Sequence, residues 1–239
     1  MSDIGVQAQG SASQQGRFRS VAASVHSPSF PNVRCAIPLP PAAEMLMSRV
    51  GGQRRRLRRG DYLYRYGAQF HALFGVHAGS FKTVLLTEDG REQVTGFHMA
   101  GEVLGVDGLG ADTYSGDAIA LEDGEVIEIP RDTLDSLVRH EPLLQRELFR
   151  MLAGEIQRER ALMVLLGSMR AEERIAVFLL NLSQRMASRG YSATRFILRM
   201  TREEIGSLLG LKLETVSRIR SEEHTSELQS RFGISYAVF

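Results

Sequence analysis

Cysteine is almost absent from this sequence of 239 residues, which contains only Cys35. One cysteine cannot form a disulfide within the chain, and such a composition suits a reducing compartment. The sequence also lacks a hydrophobic run of the roughly 18 residues that a membrane helix requires. Its first residues, MSDIGVQAQG, lack the apolar middle of a signal peptide. We therefore expect a cytoplasmic protein that makes no contact with a membrane.

The chain also has no large excess of charge of either sign. Its 29 basic and 28 acidic residues give a net charge of +1, so the overall charge does not indicate binding to nucleic acid. Contact with DNA would depend on a local basic surface. The apolar content of 43% is that of an ordinary globular protein.

The composition changes several times along the chain. Ser, Gln, Ala and Gly dominate residues 1–34, which predicts a disordered arm. Over residues 54–130, short segments rich in β-branched and aromatic residues alternate with turn signals about every 8–12 residues, among them the hairpin turn Glu88-Asp89-Gly90. This pattern predicts an antiparallel β-roll as the domain of residues 35–140. Helical periodicity follows at 141–169 and again at 170–219, where it predicts a helix over 171–188. The sequence therefore predicts an α+β protein with a β-roll, a long helix and a helical C-terminal domain.

The long helix is predicted to pair with a copy of itself. Apolar residues recur along it at spacings of four and seven, which is typical of a narrow coiled-coil stripe. The alternative is that this stripe packs on the chain's own β-roll. We favour a homodimer, because a long helix after a β-roll has little else to cover it. The predicted seam residues are Leu148, Leu152, Ile156, Glu159, Met163 and Leu166.

Glu159 differs from the other residues of this stripe because it is charged. In a two-fold dimer it would face its own copy, and two like charges at close range are unfavourable. Arg158 or Arg160 of the second copy could neutralise it instead. Our hypothesis is that Glu159 opposes dimerisation.

The last helical segment has the form of a helix-turn-helix. Thr201 and Glu204 stand in capping-box register at the start of a short helix, Gly210 makes the turn, and a second helix starts near Lys212. The predicted buried positions are Ile205, Leu208, Leu209, Leu213 and Val216.

The exposed face of the second helix carries residue types that can read base edges. Arginine pairs with guanine, glutamate accepts a hydrogen bond from cytosine, and serine is permissive. The predicted base-reading residues are Glu214, Ser217 and Arg218. The predicted contacts with the DNA backbone are Arg202, Lys212 and Thr215. Two short helices alone are weak support for DNA binding, so the order of the domains has to decide.

The order of a β-roll, a long helix and the motif MTREEIGSLLGLKLETVSR resembles the Crp/Fnr family of transcription regulators, and most closely its Fnr branch. The segments ALEDGEVIEIP (120–130) and AEERIAVFLLNLSQR (171–185) carry the resemblance too. It implies a cyclic-nucleotide-binding-like β-roll and a regulator that binds double-stranded DNA and contacts RNA polymerase. In the Fnr branch the matching Glu, Ser and Arg read a TTGAT-type half-site, so a homodimer would bind a near-palindromic operator.

The chain departs from this family at the cluster that senses oxygen. The oxygen-sensing members of the family hold a [4Fe–4S] cluster on four cysteines. Cys35 matches only the last cysteine of their N-terminal group, and Ile127 replaces the cysteine of the β-roll. We therefore expect no Fe–S cluster.

The chain also departs from the members that sense cyclic AMP, which bind its phosphate with a glutamate and an Arg-Ser pair. The matching stretch, 101–118, contains no arginine, and an uncompensated acidic lining repels phosphate. Its aspartates are Asp107, Asp112 and Asp117. We expect no binding of cyclic AMP, which leaves another ligand, redox chemistry at Cys35, or no signal. We also expect no metal on the scattered His71, His77 and His98.

The end of the chain does not fit the family, whose members continue the second helix into a β-hairpin wing. Residues 220–239 instead resemble a translated sequencing-library adapter, most clearly in RSEEHTSELQS. We expect a foreign tail, a truncated helix-turn-helix domain without its wing, and weak DNA binding, because the phosphate contacts of the wing are lost. The alternative function is an effector-binding β-roll whose truncated C-terminal domain no longer binds DNA. An enzyme on a cupin-like β-roll would need metal-ligand spacing that the sequence does not show.

Overall fold

Two four-stranded antiparallel sheets form the β-roll in the computed structural model, which describes residues 47–49, 52–223 and 235–238. The predicted arm, Cys35 and most of the predicted tail lie outside these residues. One sheet has the order β1-β8-β3-β6 and the other β2-β7-β4-β5. The strands are β1 (Arg54–Leu57), β2 (Tyr62–Tyr64), β3 (Ala72–Ala78), β4 (Ser80–Leu86), β5 (Glu92–Met99), β6 (Val103–Leu104), β7 (Asp117–Ala120) and β8 (Gly124–Pro130). The predicted antiparallel β-roll is confirmed.

The hairpin between β4 and β5 has the predicted turn. The N–H of Gly90 donates to the carbonyl of Thr87 at 2.8 Å, and Gly90 has a φ of 77°. This left-handed backbone strains any residue that carries a Cβ atom, so glycine suits the position. The turn fixes the register of the β4–β5 hairpin.

Aromatic rings pack together inside the β-roll. Tyr64 stacks on Tyr114 with ring centroids 4.0 Å apart, and Phe70 meets Tyr114 edge to face at 5.4 Å. Tyr114 is fully buried, and its hydroxyl donates to the carbonyl of Ala72 at 2.8 Å. Because its one polar group has a partner, the Tyr114 ring can occupy an apolar interior.

Five α-helices come after β8 in the chain. They are α1 (Arg131–His140), α2 (Pro142–Ser168), α3 (Ala171–Ser188), α4 (Arg202–Leu209) and α5 (Leu213–Glu223). The 27 residues of α2 give it a length of about 40 Å. None of the helices in the described ranges is long and apolar enough to cross a membrane.

A short parallel pair of strands lies beside the last helices. It consists of β9 (Arg195–Leu198) and β10 (Ser235–Val238). The strand β10 belongs to the segment predicted to be foreign, and it is a single strand paired with β9 and not a hairpin within the described residues.

The hydrophobic core has two parts, and the second joins the β-roll to the C-terminal domain. The first contains the interior of the β-roll and the beginning of α2, with Leu144 and Leu148. The second continues from Phe97 and Val94 on β5 to Phe178 on α3 and Leu208 on α4. The sheet that contains β5 and the helix-turn-helix therefore share one apolar core.

Candidate DNA-binding interface

The first helix of the helix-turn-helix, α4, begins with the predicted capping box. The backbone N–H of Glu204 donates to Thr201 Oγ1 at 3.1 Å, and the backbone N–H of Thr201 donates to Glu204 Oε2 at 2.7 Å. Two N–H groups that the helix leaves without partners are thus satisfied. The helix ends at Gly210, which has the left-handed backbone (φ 62°) that the turn needs.

Gly206 sets how closely α4 approaches the turn that leads to α5. A Cβ atom at this position would lie 2.6 Å from the carbonyl oxygen of Leu211, whose own N–H donates to the carbonyl of Gly206 at 2.9 Å. Larger residues would push the two helices apart. The angle between the helices therefore depends on this glycine.

Four of the five predicted buried positions are buried. Ile205, Leu208, Leu209 and Val216 are all less than 10% exposed. The prediction for Leu213 is wrong, because this side chain is 47% exposed. Leu213 is the first residue of α5 and lies before the helical turn that faces the core. Leu211 packs partly against the core instead.

The predicted DNA contacts lie around the exposed side of α5. Glu214 and Arg218 are exposed, and Ser217 is half-buried. Arg202, at the start of α4, lies 3.4 Å from the hydroxyl of Ser217, so the two helices contribute to one surface. Lys212 is also exposed, whereas Thr215 is half-buried. Among the predicted contacts, Arg202, Lys212 and Arg218 are cations and Glu214 is an anion, so together these contacts carry a net positive charge.

Arg174, which the sequence analysis did not single out, ties three helix ends together. Its guanidinium donates to the carbonyls of Leu166 at 2.7 Å, Met169 at 2.9 Å and Leu209 at 3.0 Å. These carbonyls lie at the ends of α2 and α4, where helices leave carbonyls unpaired. A cation is also favourable at a helix C-terminus. Arg174 thus positions the helix-turn-helix against the long helix.

The helix α4 docks on the β4–β5 hairpin of the β-roll. The backbone N–H of Val94 donates to Ser207 Oγ at 2.8 Å, and Gln93 donates to the carbonyl of Ser207. Lys82 on β4 forms an ion pair with Glu204 at 3.0 Å. Residues more than 100 positions apart in the chain make these contacts, so no local pattern in the sequence predicts them.

A buried carboxylate, Glu102, joins the β-roll to α3. It accepts hydrogen bonds from Arg185 at 2.7 Å and Arg189 at 2.6 Å, and it lies 3.8 Å from His98. We call these four residues the joint cluster. Burial alone would raise the pKa of Glu102, but Arg185, His98 and Arg189 together lower it. Burial lowers the pKa of His98, while Glu102 acts in the opposite direction.

Comparisons with known proteins agree with this architecture. The model of the cyclic nucleotide-binding domain family matches residues 54–141, and that of the Crp-like helix-turn-helix domain matches residues 173–229. The chain is 46% identical over 179 residues to the transcriptional activator protein Anr of Pseudomonas aeruginosa. The aligned residues cover 75% of this chain and 73% of Anr. The chain belongs to the Crp/Fnr family. It is a transcription regulator with a helix-turn-helix DNA-binding domain and not an enzyme.

Two further Crp/Fnr relatives support the assignment. The fumarate and nitrate reduction regulatory protein of Escherichia coli is 41% identical over 167 residues, which is 70% of this chain and 67% of that protein. The structure of FixK2 from Bradyrhizobium japonicum has a TM-score of 0.65 and 34% identity, and covers 73% of this chain and 85% of FixK2. The helix-turn-helix match extends to residue 229, into the segment that resembles adapter sequence.

The acidic stretch that Crp/Fnr members would use for cyclic AMP is better compensated than its sequence suggests. Asp112 forms an ion pair with Arg131 at 2.5 Å. Asp107 accepts from the hydroxyl of Ser115 at 2.6 Å, and Asp117 accepts from the N–H of Tyr66 at 2.6 Å. The description of this lining as uncompensated is therefore wrong for Asp112, which has a cationic partner outside the stretch.

The three histidines have different surroundings. His71 and His77 are about half exposed and lie near Glu128 and Glu125, respectively. His98 is buried in the joint cluster. Among the described residues, no group of three or more histidine, cysteine or acidic side chains is arranged to hold a metal ion.

The predicted seam residues are not equally accessible along α2. Leu148 is 8% exposed and packs in the core of the β-roll. Leu152 and Leu166 are half-buried, while Ile156, Glu159 and Met163 are exposed. The beginning of the apolar stripe thus packs on the chain's own β-roll, which was the alternative interpretation. Its middle is exposed and remains available for the predicted pairing with a second copy. Phe149, which the sequence analysis did not include, is 60% exposed.

Proposed function

We propose that this Crp/Fnr regulator binds a near-palindromic operator as a homodimer, with the second helix of each helix-turn-helix, α5, in one major groove. The observation that carries the proposal is the surface formed by α4 and α5, on which Arg202 meets Ser217 and both Glu214 and Arg218 are exposed. Helices of this type read base edges with their exposed residues, and flanking cations bind phosphates.

The half-site is inferred to be TTGAT-like. Arg218 is assigned to guanine because its guanidinium can form two hydrogen bonds with the guanine edge. Glu214 is assigned to the amino group of cytosine on the opposite strand, and Ser217 supports both. Arg202, Lys212 and Thr215 are assigned to phosphates. Two such half-sites would lie about one helical turn apart.

Dimerisation is inferred from the exposed apolar residues of α2. Phe149, Ile156 and Met163 are 60%, 50% and 71% exposed and stand seven residues apart. This spacing returns to the same side of a helix in a coiled coil, and large exposed apolar side chains in a row are costly without a partner. Glu159 is exposed on the same helix, where it would weaken the pairing.

Activation of transcription is inferred from the relatives, of which the protein of Pseudomonas aeruginosa is named a transcriptional activator. An activator of this kind would act in the cytoplasm and contact RNA polymerase. We propose that neither an Fe–S cluster nor cyclic AMP is its signal, because the chain has one cysteine and its acidic 101–118 stretch contains no arginine.

The base-reading assignment can be tested by fluorescence anisotropy with a duplex that carries two TTGAT half-sites, at low salt. Arg218→Ala is expected to reduce the preference for this duplex over one with a changed guanine by about 5- to 100-fold. Arg139→Ala is the matched control, since it removes an exposed arginine from α1. It should leave this preference unchanged.

The same titration decides the alternative that the truncated domain has lost its function. A full chain that binds both duplexes equally, with Arg218→Ala no different, would refute sequence-specific binding. Weak binding that keeps its preference for the TTGAT duplex would support the base contacts and the expected loss of phosphate contacts.

The dimer can be tested by sedimentation equilibrium. Ile156→Glu should shift the chain towards the monomer by at least 10-fold in the dissociation constant, because it places like charges in an apolar seam. Leu86→Glu, at an exposed position of the β4–β5 hairpin, is the control and should have no effect. Glu159→Ala is expected to strengthen the dimer. An unchanged distribution in Ile156→Glu would contradict the seam.

A further inference from the structure

A cavity of about 340 Å³ lies where the β-roll, the long helix and the helix-turn-helix domain meet. It is bounded by β5, α2, α3 and α4. Its size is within the range of about 300–1,000 Å³ that is typical of small-molecule sites. The large apolar side chains that line it are Phe97, Leu162, Leu165, Phe178, Leu208 and Leu209.

The charged side chains of the cavity largely satisfy one another. Glu102 is paired with Arg185 and Arg189, and Glu155 is paired with Arg158. With Glu159 included, three carboxylates stand against three guanidinium groups in the lining, so the formal charges cancel. The lining therefore offers no net charge to a charged ligand, which would also lose its hydration on binding.

One wall of the cavity suits an aromatic ring. Phe97 on β5 and Phe178 on α3 meet edge to face, with ring centroids 6.0 Å apart and an angle of 60° between the rings. A third ring could extend this arrangement, because offset and edge-to-face aromatic contacts are favourable at such distances. His98 and Asn181 also line the cavity and add polar side chains to it.

We propose that this joint cavity binds an uncharged, largely apolar aromatic molecule that acts as an effector of the regulator. Such a ligand would contact β5 on one side and α3 and α4 on the other. Its binding would therefore be coupled to the position of the helix-turn-helix relative to the β-roll. The coupling is reciprocal, so DNA affinity should change when the ligand binds. This regulatory consequence rests on the proposed DNA binding, whereas the binding site itself does not.

The site can be tested with N-phenyl-1-naphthylamine, an uncharged aromatic probe that fluoresces in apolar surroundings. Titration of the full chain should give saturable binding of one probe per chain. Ala161→Trp places a large side chain in the lining and should weaken this binding at least 10-fold. Ala187→Trp is the matched control, since it makes the same change at an exposed position of α3 outside the lining, and it should bind the probe normally.

Folding of each variant is checked by circular dichroism, and Leu162→Trp serves as a second filling variant if Ala161→Trp does not fold. Equal probe binding in a folded filling variant and in the control would overturn the site. Anisotropy with the TTGAT duplex, with and without probe, tests the coupling: an affinity shift of at least 3-fold supports it, and an unchanged affinity overturns it. A chain that binds no DNA in either condition would refute the proposed function alone, because the fluorescence result is independent of DNA.

Discussion

Inside the β-roll, aromatic rings such as Tyr64 and Tyr114 pack in apolar surroundings, and the Tyr114 hydroxyl has a backbone partner. At the joint cluster, by contrast, a carboxylate and two guanidinium groups are buried beside a histidine. Both regions are buried, but different forces hold them. The interior of the β-roll depends on buried apolar area, and the joint cluster depends on charges that must stay paired.

This difference indicates where the molecule can change state. Apolar packing responds little to pH or to a distant ligand, so the β-roll should behave as a rigid body. A buried ion-pair cluster loses its stability when one partner is neutralised or displaced. The joint cluster also borders the cavity and the helices that lead to α5. We therefore expect changes in conditions to act on the joint before they act on the β-roll.

The largest expected effect is the loss of an aromatic ring from the β-roll. Tyr114→Ala should lower the free energy of unfolding by about 3–5 kcal/mol, because it leaves a cavity in a packed interior. Urea-induced unfolding measures this change, and Tyr66→Ala, at a position that is 70% exposed, is the control. A loss below about 1 kcal/mol in Tyr114→Ala would show that the interior is less tightly packed than its geometry implies.

The second effect is at the joint cluster. Glu102→Gln leaves two partly buried arginines without their shared carboxylate and should cost about 2–3 kcal/mol, somewhat less than a fully buried pair. The double variant Glu102→Gln/Arg189→Met should recover part of this loss, since it removes one unpaired charge. Urea unfolding of the single and double variants decides the matter. An additive loss in the double variant would contradict a charge-based joint.

The sequence predicts those parts of this comparison that rest on local patterns. The helix at 171–188, the capping box at Thr201 and the turn at Gly90 all follow from residues a few positions apart, and the structure confirms them. Capping and turn formation are local, so the responsible residues stand together in the chain. The exposed face of α5 was predictable for the same reason, apart from Leu213 at its first position.

The contacts between the β-roll and the C-terminal helices could not be predicted, because the residues that meet are distant in the chain. Glu102 and Arg185 are separated by 83 positions, and Val94 and Ser207 by 113. A single sequence shows that these residues are charged or polar, but not which of them meet. The same limit explains Asp112, whose partner Arg131 lies in a helix outside the acidic stretch. It also explains Leu148, because periodicity cannot tell which surface covers an apolar stripe.

A third, smaller effect should appear as a pH dependence of the stability that the joint cluster contributes. Burial holds the pKa of His98 below its ordinary value of 6.5. The unfolded chain therefore binds this proton more readily, so stability is complete above about pH 6.5 and is lost as pH falls from there towards the lower folded pKa. The groups that face His98 are Thr83 on β4, Glu102 after β5, Glu155 and Arg158 on α2, and Arg185 on α3.

The variant His98→Gln isolates this contribution. Between pH 6.5 and 5, the free energy of unfolding should fall less steeply with decreasing pH in His98→Gln than in the wild type. Tyr114→Phe is the control from the β-roll and should keep the wild-type slope, because tyrosine does not titrate in this range. Parallel slopes in His98→Gln and the wild type would mean that His98 does not carry the pH response of the joint.

The smallest expected effect distinguishes the docking of α4 from the packing of the β-roll. Ser207→Ala removes the hydroxyl that accepts from the backbone N–H of Val94, and it should cost about 1 kcal/mol. Because this contact joins two parts of the molecule, the loss should appear as faster hydrogen exchange at the Val94 amide, with little change in global unfolding. Tyr114→Phe also removes one hydroxyl, but from the interior of the β-roll, so it should lower global stability and leave exchange at Val94 unchanged. If Ser207→Ala instead lowered global stability as Tyr114→Phe does, the helix-turn-helix and the β-roll would unfold as one unit, and the joint could not act as a separate point of control.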